Sequence, residues 1–337
     1  MLFLVRNMLK KKLFAAALAA VSVFGLTGCA PSDDSALVIY AGRSEALIQP
    51  LIDQYISESG VEVEVRYAGS AELAAQILEE GQNSPADVFF AQDAGALGAV
   101  SKAGFLRTLD SNILSLVPSE YAARDGSWIG VSGRVRVLNY NPERVTDLPT
   151  TIFDLANPQY KGRIGFAPTN ASFQAFVTAM RVLEGEEKTL EWLKALKENG
   201  VAYEKNSAIL EAVETGQVDM GLINHYYWYA RAKEVGKDNM TSLLMQFEGA
   251  DVGNLRNVAG VGIVSEDPKA KAFVEFLLSE TAQQYFVTQT FEYPMIAGVQ
   301  PYEGLIPLND IPAPDFDLND LEALEATLEL IRQAGLI

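Results

Sequence analysis

The sequence predicts an α/β fold made of two lobes joined by crossing strands. Three observations carry that prediction. Short apolar runs alternate with segments of helical periodicity, the pattern of a mostly parallel sheet with helices on both faces. The first strands come in the order β-α-β-α-β, a second α/β block is then inserted, and a late strand returns. The 337 residues suit about two domains, each large enough to bury its own core. A single long α/β enzyme domain is the competing architecture.

The elements follow in order. Leu37 to Tyr40 is an apolar run closed by Ala41-Gly42, a strand and its turn. Residues 45–59 place Leu47, Leu51, Ile52, Tyr55 and Ile56 at helical spacing, and Gly60 ends that helix. Val61 to Val65 alternates strictly and reads as a second strand, Ala71 to Glu80 as a helix closed by Gly81, and Asp87 to Phe90 as a third strand. In the inserted block, Val135 to Tyr140 reads as a strand broken by Asn141-Pro142. Arg163 to Phe166 is another strand and Ser172 to Leu183 a helix. Gly216 to Ile223 is a turn and strand, and Tyr226 to Val235 is helical. Val258 to Val264 is the returning strand, Asp267 to Gln289 a pair of helical segments, and Leu318 to Gln333 a final amphipathic helix. In such folds ligands sit beyond the carboxyl ends of the strands, where helix N-termini face a crevice.

Composition excludes several functions. The chain is 49% hydrophobic and 21% charged, which is ordinary for a globular protein. Lys and Arg number 26 against 44 Asp and Glu, a net charge of -18, so phosphate-driven nucleic-acid binding is not expected. One cysteine rules out an intrachain disulfide and Cys-rich metal sites, and one histidine rules out His-pair zinc motifs. The chain has neither a G-x-S-x-G elbow nor a phosphate-cradling P-loop, so it is not expected to be an enzyme.

The N-terminus reads as a targeting segment. Arg6, Lys10, Lys11 and Lys12 precede an uncharged apolar run from Leu13 to Leu26, which is short for a membrane span. Leu26-Thr27-Gly28-Cys29 then resembles a bacterial lipobox. Residues 1–28 are therefore expected to be a lipoprotein signal, Cys29 the lipidated residue, and residues 29–36 a tether. Without the leader the chain carries 22 basic and 44 acidic residues, a net charge of -22. Such a protein works outside the cytoplasmic membrane.

The most unusual string is Asn224-His225-Tyr226-Tyr227-Trp228-Tyr229, where a strand hands over to a helix. In the first turn of a helix, neighbouring residues stand about 100° apart, so two phenols lean into one cleft. The bland alternative is an aromatic core patch with its hydroxyls bonded. Phenolate oxygens are hard donors and suit a hard, highly charged cation such as Fe(III). A free phenol has a pKa of about 10, so binding displaces a proton and weakens in acid. His225 is expected to cap or brace rather than ligate. Arg134 and Arg136 are expected to support the crossing strands.

This stretch resembles the paired-tyrosine segment of bacterial ferric-ion-binding proteins, the extracytoplasmic receptors of iron ABC transporters. Further segments resemble the same family in the same order: Val38 to Glu45, Pro85 to Phe90, Gly133 to Asn141, Ala167 to Phe173, and Phe291 to Pro294. The resemblance implies a periplasmic-binding-protein fold of type II, each lobe a mixed sheet flanked by helices and the two joined by crossing hinge strands. It places lobe 1 at residues 37–135 and 259–305, lobe 2 at 136–258, and a C-terminal helical segment at 306–337. It implies that Tyr226, Tyr227 and Tyr140 ligate Fe(III). Some members carry a histidine where this chain has Ser44, and a glutamate near Gln92, so the resemblance is to the three-tyrosine members. These complete the shell with carbonate or bicarbonate. Arg43, Asn170, Ala171 and Ser172 are then the expected anion partners, with Ser44, Gln92, Asn206 and Asn224 around them. The implied partners are an ABC permease and its ATPase, and the protein is expected to be a monomer. The competing functions are a receptor for a small anion or organic solute, such as thiamine or a phosphonate, and a secreted hydrolase.

Overall fold

The computed structural model describes residues 36–337, which form one compact unit. The expected signal segment, Cys29 and the start of the expected tether lie outside the described residues. Ten strands make one continuous sheet in the order β2-β1-β3-β9-β4-β7-β5-β6, with β10 and β8 pairing onto β4.

The first half is built from β1 Leu37–Ala41, α1 Glu45–Ser59, β2 Val63–Tyr67, α2 Ser70–Glu80, β3 Val88–Ala91 and α3 Ala94–Lys102. A single turn, α4 Ser111–Leu114, leads to the long strand β4 Trp128–Tyr140. The second half holds β5 Ile164–Phe166, α5 Ala171–Glu184, α6 Glu186–Asn199, β6 Gly200–Ala202 and α7 Asn206–Glu214. It continues with β7 Met220–Asn224, α8 His225–Val235 and β8 Leu243–Met245. The chain then returns through β9 Arg256–Ile263, followed by α9 Pro268–Leu277, α10 Glu280–Thr288, β10 Tyr293–Pro294 and α11 Leu324–Gln333.

The sheet is mixed, as the family resemblance implies, although the strand–helix alternation alone suggests mostly parallel pairing. β1 pairs in parallel with β2 and β3, and β5 with β6 and β7. The centre is antiparallel because β4 and β9 are the crossing strands: β9 lies between β3 and β4. β4 belongs to both halves. Its Trp128 to Val135 portion pairs with β9, and its Arg136 to Tyr140 portion pairs with β7. The change of partner falls between Val135 and Arg136, so the two lobes share one strand.

β4 starts seven residues before the expected Val135. Gly130, Ser132 and Gly133 are poor strand formers, yet the position needs small residues. A Cβ on Gly130 would stand 2.9 Å from the Tyr121 carbonyl oxygen, and one on Gly133 3.1 Å from Tyr293. Packing overrides propensity there. The expected final helix is also broken: Leu318–Glu322 is a 3₁₀ turn, and α11 begins only at Leu324. The turn lies on α3, where Lys102 pairs with Glu322 at 2.8 Å. α11 lies on α5, with a buried 2.9 Å hydrogen bond between the Thr178 and Thr327 hydroxyls. Among the described residues no helix is long and apolar enough to cross a membrane.

Candidate metal centre

β7 is wholly buried and passes directly into α8, with Asn224 as the N-cap in extended conformation. This places Tyr226 and Tyr227 in the first turn of the helix, at the carboxyl end of a strand. Their rings lie 4.5 Å apart, tilted by 32°. Tyr226 is 4% exposed and Tyr227 is half-buried. The Asn224 side-chain amide donates to the Tyr226 hydroxyl at 3.3 Å and to Ser172 Oγ at 3.1 Å, tying the pair to the start of α5. Burial pushes the Tyr226 hydroxyl well above its ordinary value. Tyr227 and Glu292 push the same way, and Arg134 opposes them.

Both tyrosines line a cleft of about 350 Å³ between the sheet halves. The first half contributes Gly42, Ser44, Ser70 and Gln92; the second contributes Thr169 to Ser172, Glu204 and the tyrosines. Its geometry is held by short polar links. Gln92 N–H donates to Ser70 Oγ at 2.9 Å, and Ser70 donates to the Gly42 carbonyl at 3.1 Å. Gly42 has to be glycine, because a Cβ would lie 2.2 Å from Ser70 Oγ. On the opposite wall Asn170 caps α5. Its Oδ1 accepts from Ser172 N–H at 3.0 Å and from the Asn206 amide at 3.4 Å. A helix N-terminus framed by amides favours an anion.

The structure therefore brings Tyr226, Tyr227, Asn170, Ala171, Ser172, Asn206, Asn224, Ser44 and Gln92 to one place. Two expected residues are elsewhere. Tyr140 pairs with Met220 at the far end of β7, whereas Arg136 pairs with Asn224 at the cleft end. Four residues of strand set Tyr140 about 14 Å along the sheet from that end. It is packed against the hydrophobic core instead. Arg43 does not line the cleft either. It is 2% exposed and donates to Ser132 Oγ at 2.9 Å and to Glu292 at 2.7 Å. A buried carboxylate at Glu292 demands a cationic partner, and Arg43 fills that demand rather than gripping an anion.

The remaining crossing-strand residues act as supports. Arg134 donates to the Gln92 carbonyl, and Arg136 donates to the Leu222 carbonyl at 3.1 Å. Arg136 lies over Phe173 and Phe176 at 5.5 and 5.3 Å. Burial, then Arg134, lowers it to about 9, while Tyr226 and Tyr227 work the other way. His225 is fully engaged: Nδ1 accepts from Val135 N–H at 3.2 Å, and Nε2 therefore donates to the Phe291 carbonyl at 2.8 Å. Phe291 adopts a left-handed backbone, φ 57°. Burial lowers the His225 ring to about 4, so it is neutral, with no nitrogen left for a metal. Sequence reasoning missed several cleft residues, Ser70, Thr169 and Gln174 among them, and Glu204 is the ionisable one. The signal was present in its spacing, two residues before Asn206, but the helix that begins there was not recognised.

Residues 83–314 match the family model described as bacterial extracellular solute-binding protein. The "Fe(3+)-binding periplasmic protein" of Serratia marcescens is 35% identical over 328 residues, covering 96% of this chain and 97% of the relative. The "Major ferric iron-binding protein" of Neisseria meningitidis is 34% identical over 307 residues, covering 89% and 93%. Among solved structures, iron-bound HitA from Pseudomonas aeruginosa has a TM-score of 0.85 at 38% identity, covering 89% of this chain and 99% of that one. Over nearly its whole length, with a fold shared across both lobes, the chain belongs to the bacterial extracellular solute-binding protein family, alongside relatives named for ferric iron.

Proposed function

We propose that this protein is an extracytoplasmic receptor that captures ferric ion in the cleft and delivers it to an ABC permease with its ATPase. The observation that carries the reading is the side-by-side pair Tyr226 and Tyr227, 4.5 Å apart, at the cleft end of β7. Two adjacent phenols serve a hard trivalent cation, whereas a simple anion binder does not need them. The relatives named for ferric iron point to the same cargo. The reading is of a binding site rather than a catalytic one, in keeping with the solute-binding proteins the chain resembles.

In this reading the ion meets the phenols on lobe 2. A carbonate or bicarbonate sits at the N-terminus of α5, near Asn170, Ala171 and Ser172, with Asn206 and Asn224 behind it. Ser44 and Gln92 approach from lobe 1 as the cleft closes by hinge motion. Lobe 1 in this reading comprises residues 37–135 with 259–305, and lobe 2 residues 136–258. Cys29 carries the lipid that holds the protein at the membrane. Acid and loss of the anion favour release.

The test is a visible spectrum of residues 30–337 titrated with ferric citrate in bicarbonate buffer. A broad tyrosinate-to-iron band saturating at one iron per chain, and absent in Tyr226→Phe/Tyr227→Phe, is the expected result. No band and no thermal stabilisation by iron would transfer the cleft to an anionic or organic solute.

A further inference from the structure

The cleft is one negative charge short of its proposed cargo. Ferric ion carries three positive charges, and the two phenols supply two negative ones once ionised. The third phenol expected from the sequence, Tyr140, lies at the other end of β7. The first half contributes only neutral polar side chains, Ser44, Ser70 and Gln92, and Arg43 is locked against Glu292 behind them.

One acid remains. Apart from the phenols, Glu204 is the only ionisable side chain lining the cleft among the described residues. It is exposed, and no hydrogen bond or ion pair holds its carboxylate among the described residues. A free carboxylate lining the same cleft as the two phenols has no structural work to do. Its backbone, by contrast, is fixed on both sides. Tyr203 N–H donates to the Phe166 carbonyl at 2.8 Å, and fully buried Asn206 reaches Asn170 at 3.4 Å. Both anchors belong to the α5 wall of the same cleft. Carboxylate oxygen is also a hard donor, matched to Fe(III) as phenolate is.

We infer that Glu204 is a third protein ligand of the ferric ion, in the part that the family resemblance implies for Tyr140. This rests on the ferric reading of the cleft. With Tyr226, Tyr227 and Glu204, the second lobe alone neutralises the cation. The small anion at α5 then fills coordination positions rather than supplying missing charge, and the first lobe encloses a site already assembled.

Glu204→Gln and Glu204→Asp test this on residues 30–337, by ferric citrate titration with and without bicarbonate. The parent is expected to bind iron in both buffers. Glu204→Gln is expected to keep the visible tyrosinate band and the parental apo melting temperature. Its affinity is expected to fall at least about 10–100-fold, the range seen even for groups that only support a metal ligand, with the larger loss in bicarbonate-free buffer. Glu204→Asp is expected to recover part of that loss. Parental affinity and unchanged bicarbonate dependence in Glu204→Gln would overturn the assignment, as would a lowered apo melting temperature that accounts for the whole loss. A parent without any tyrosinate band is a different result, which removes the ferric reading itself.

Discussion

The guanidinium of Arg43 and the carboxylate of Glu292 lie 2.7 Å apart with both side chains completely out of solvent, although 249 residues separate them in the chain. Ser132 on β4 and Thr290 complete the cluster, at 2.9 and 2.8 Å. The pair joins the loop after β1, the crossing strand and the segment entering β10. Removing one partner leaves an uncompensated buried charge, so Arg43→Met or Glu292→Leu alone is expected to cost about 3–5 kcal/mol. The double substitution is expected to recover most of that. Urea unfolding of the three variants checks the prediction; additive losses would contradict it.

His225 provides the second prediction. Its ring is held near 4 against an ordinary value of 6.5 by burial. The unfolded chain takes up that proton at about 6.5, the native chain only near 4. Stability present above about pH 6.5 is therefore lost as pH falls toward 4, by up to ~3 kcal/mol from this residue. His225 is the only histidine, so its C2 proton is a single resonance. That resonance is expected not to titrate above pH 5; a midpoint near 6.5 would show that the ring is not buried.

Iron binding should carry its own pH dependence. The Tyr226 hydroxyl is pushed up by burial, so it is protonated in the empty protein at neutral pH. Each phenol that ligates releases one proton. Affinity is then expected to rise with pH, by up to about tenfold per unit for each proton released, two phenols giving about a hundredfold. Competition with citrate between pH 6 and 8 measures the slope. A flat profile would mean that phenolate is not the ligand.

Tyr140 separates the structure from the family expectation. Tyr140→Phe is expected to leave the visible band and the iron affinity unchanged, within about twofold. Tyr226→Phe is expected to abolish or strongly shift the band. A parental spectrum in Tyr226→Phe together with a lost band in Tyr140→Phe would reverse the assignment.

The contrast between these residues shows what a sequence discloses. The tyrosine pair and the start of α5 were legible because each depends on local order: a strand end, a helix start, a capping asparagine. Mixed pairing came only through the family resemblance and not from the strand–helix alternation, because it depends on where β9 returns, more than a hundred residues after β4. Arg43 reads as an anion partner in the sequence because a guanidinium suits a carboxylate-like anion; the carboxylate it holds is Glu292, 249 residues further on. Tyr140 looked close to the pair because both sit at strand ends, and only the antiparallel register puts those ends at opposite edges. The broken final helix follows from α3, whose Gly95 and Gly98 let the 318–322 turn approach closely. Glu204 is a charged loop residue like many others until the cleft is assembled around it.

The placement of β9 also sets an order of events in time. The second half draws on residues from β4 to β8, a contiguous stretch, so all its strands are present once Met245 has emerged. The first half lacks its central strand until Ile263 pairs with Val88, closing a loop of more than 170 residues. Closing long loops is slow and entropically costly. A chain delivered from its N-terminus will therefore hold β1, β2 and β3 as an unfinished edge while the tyrosine-bearing lobe is already complete, and it is this early edge that a folding helper would have to protect.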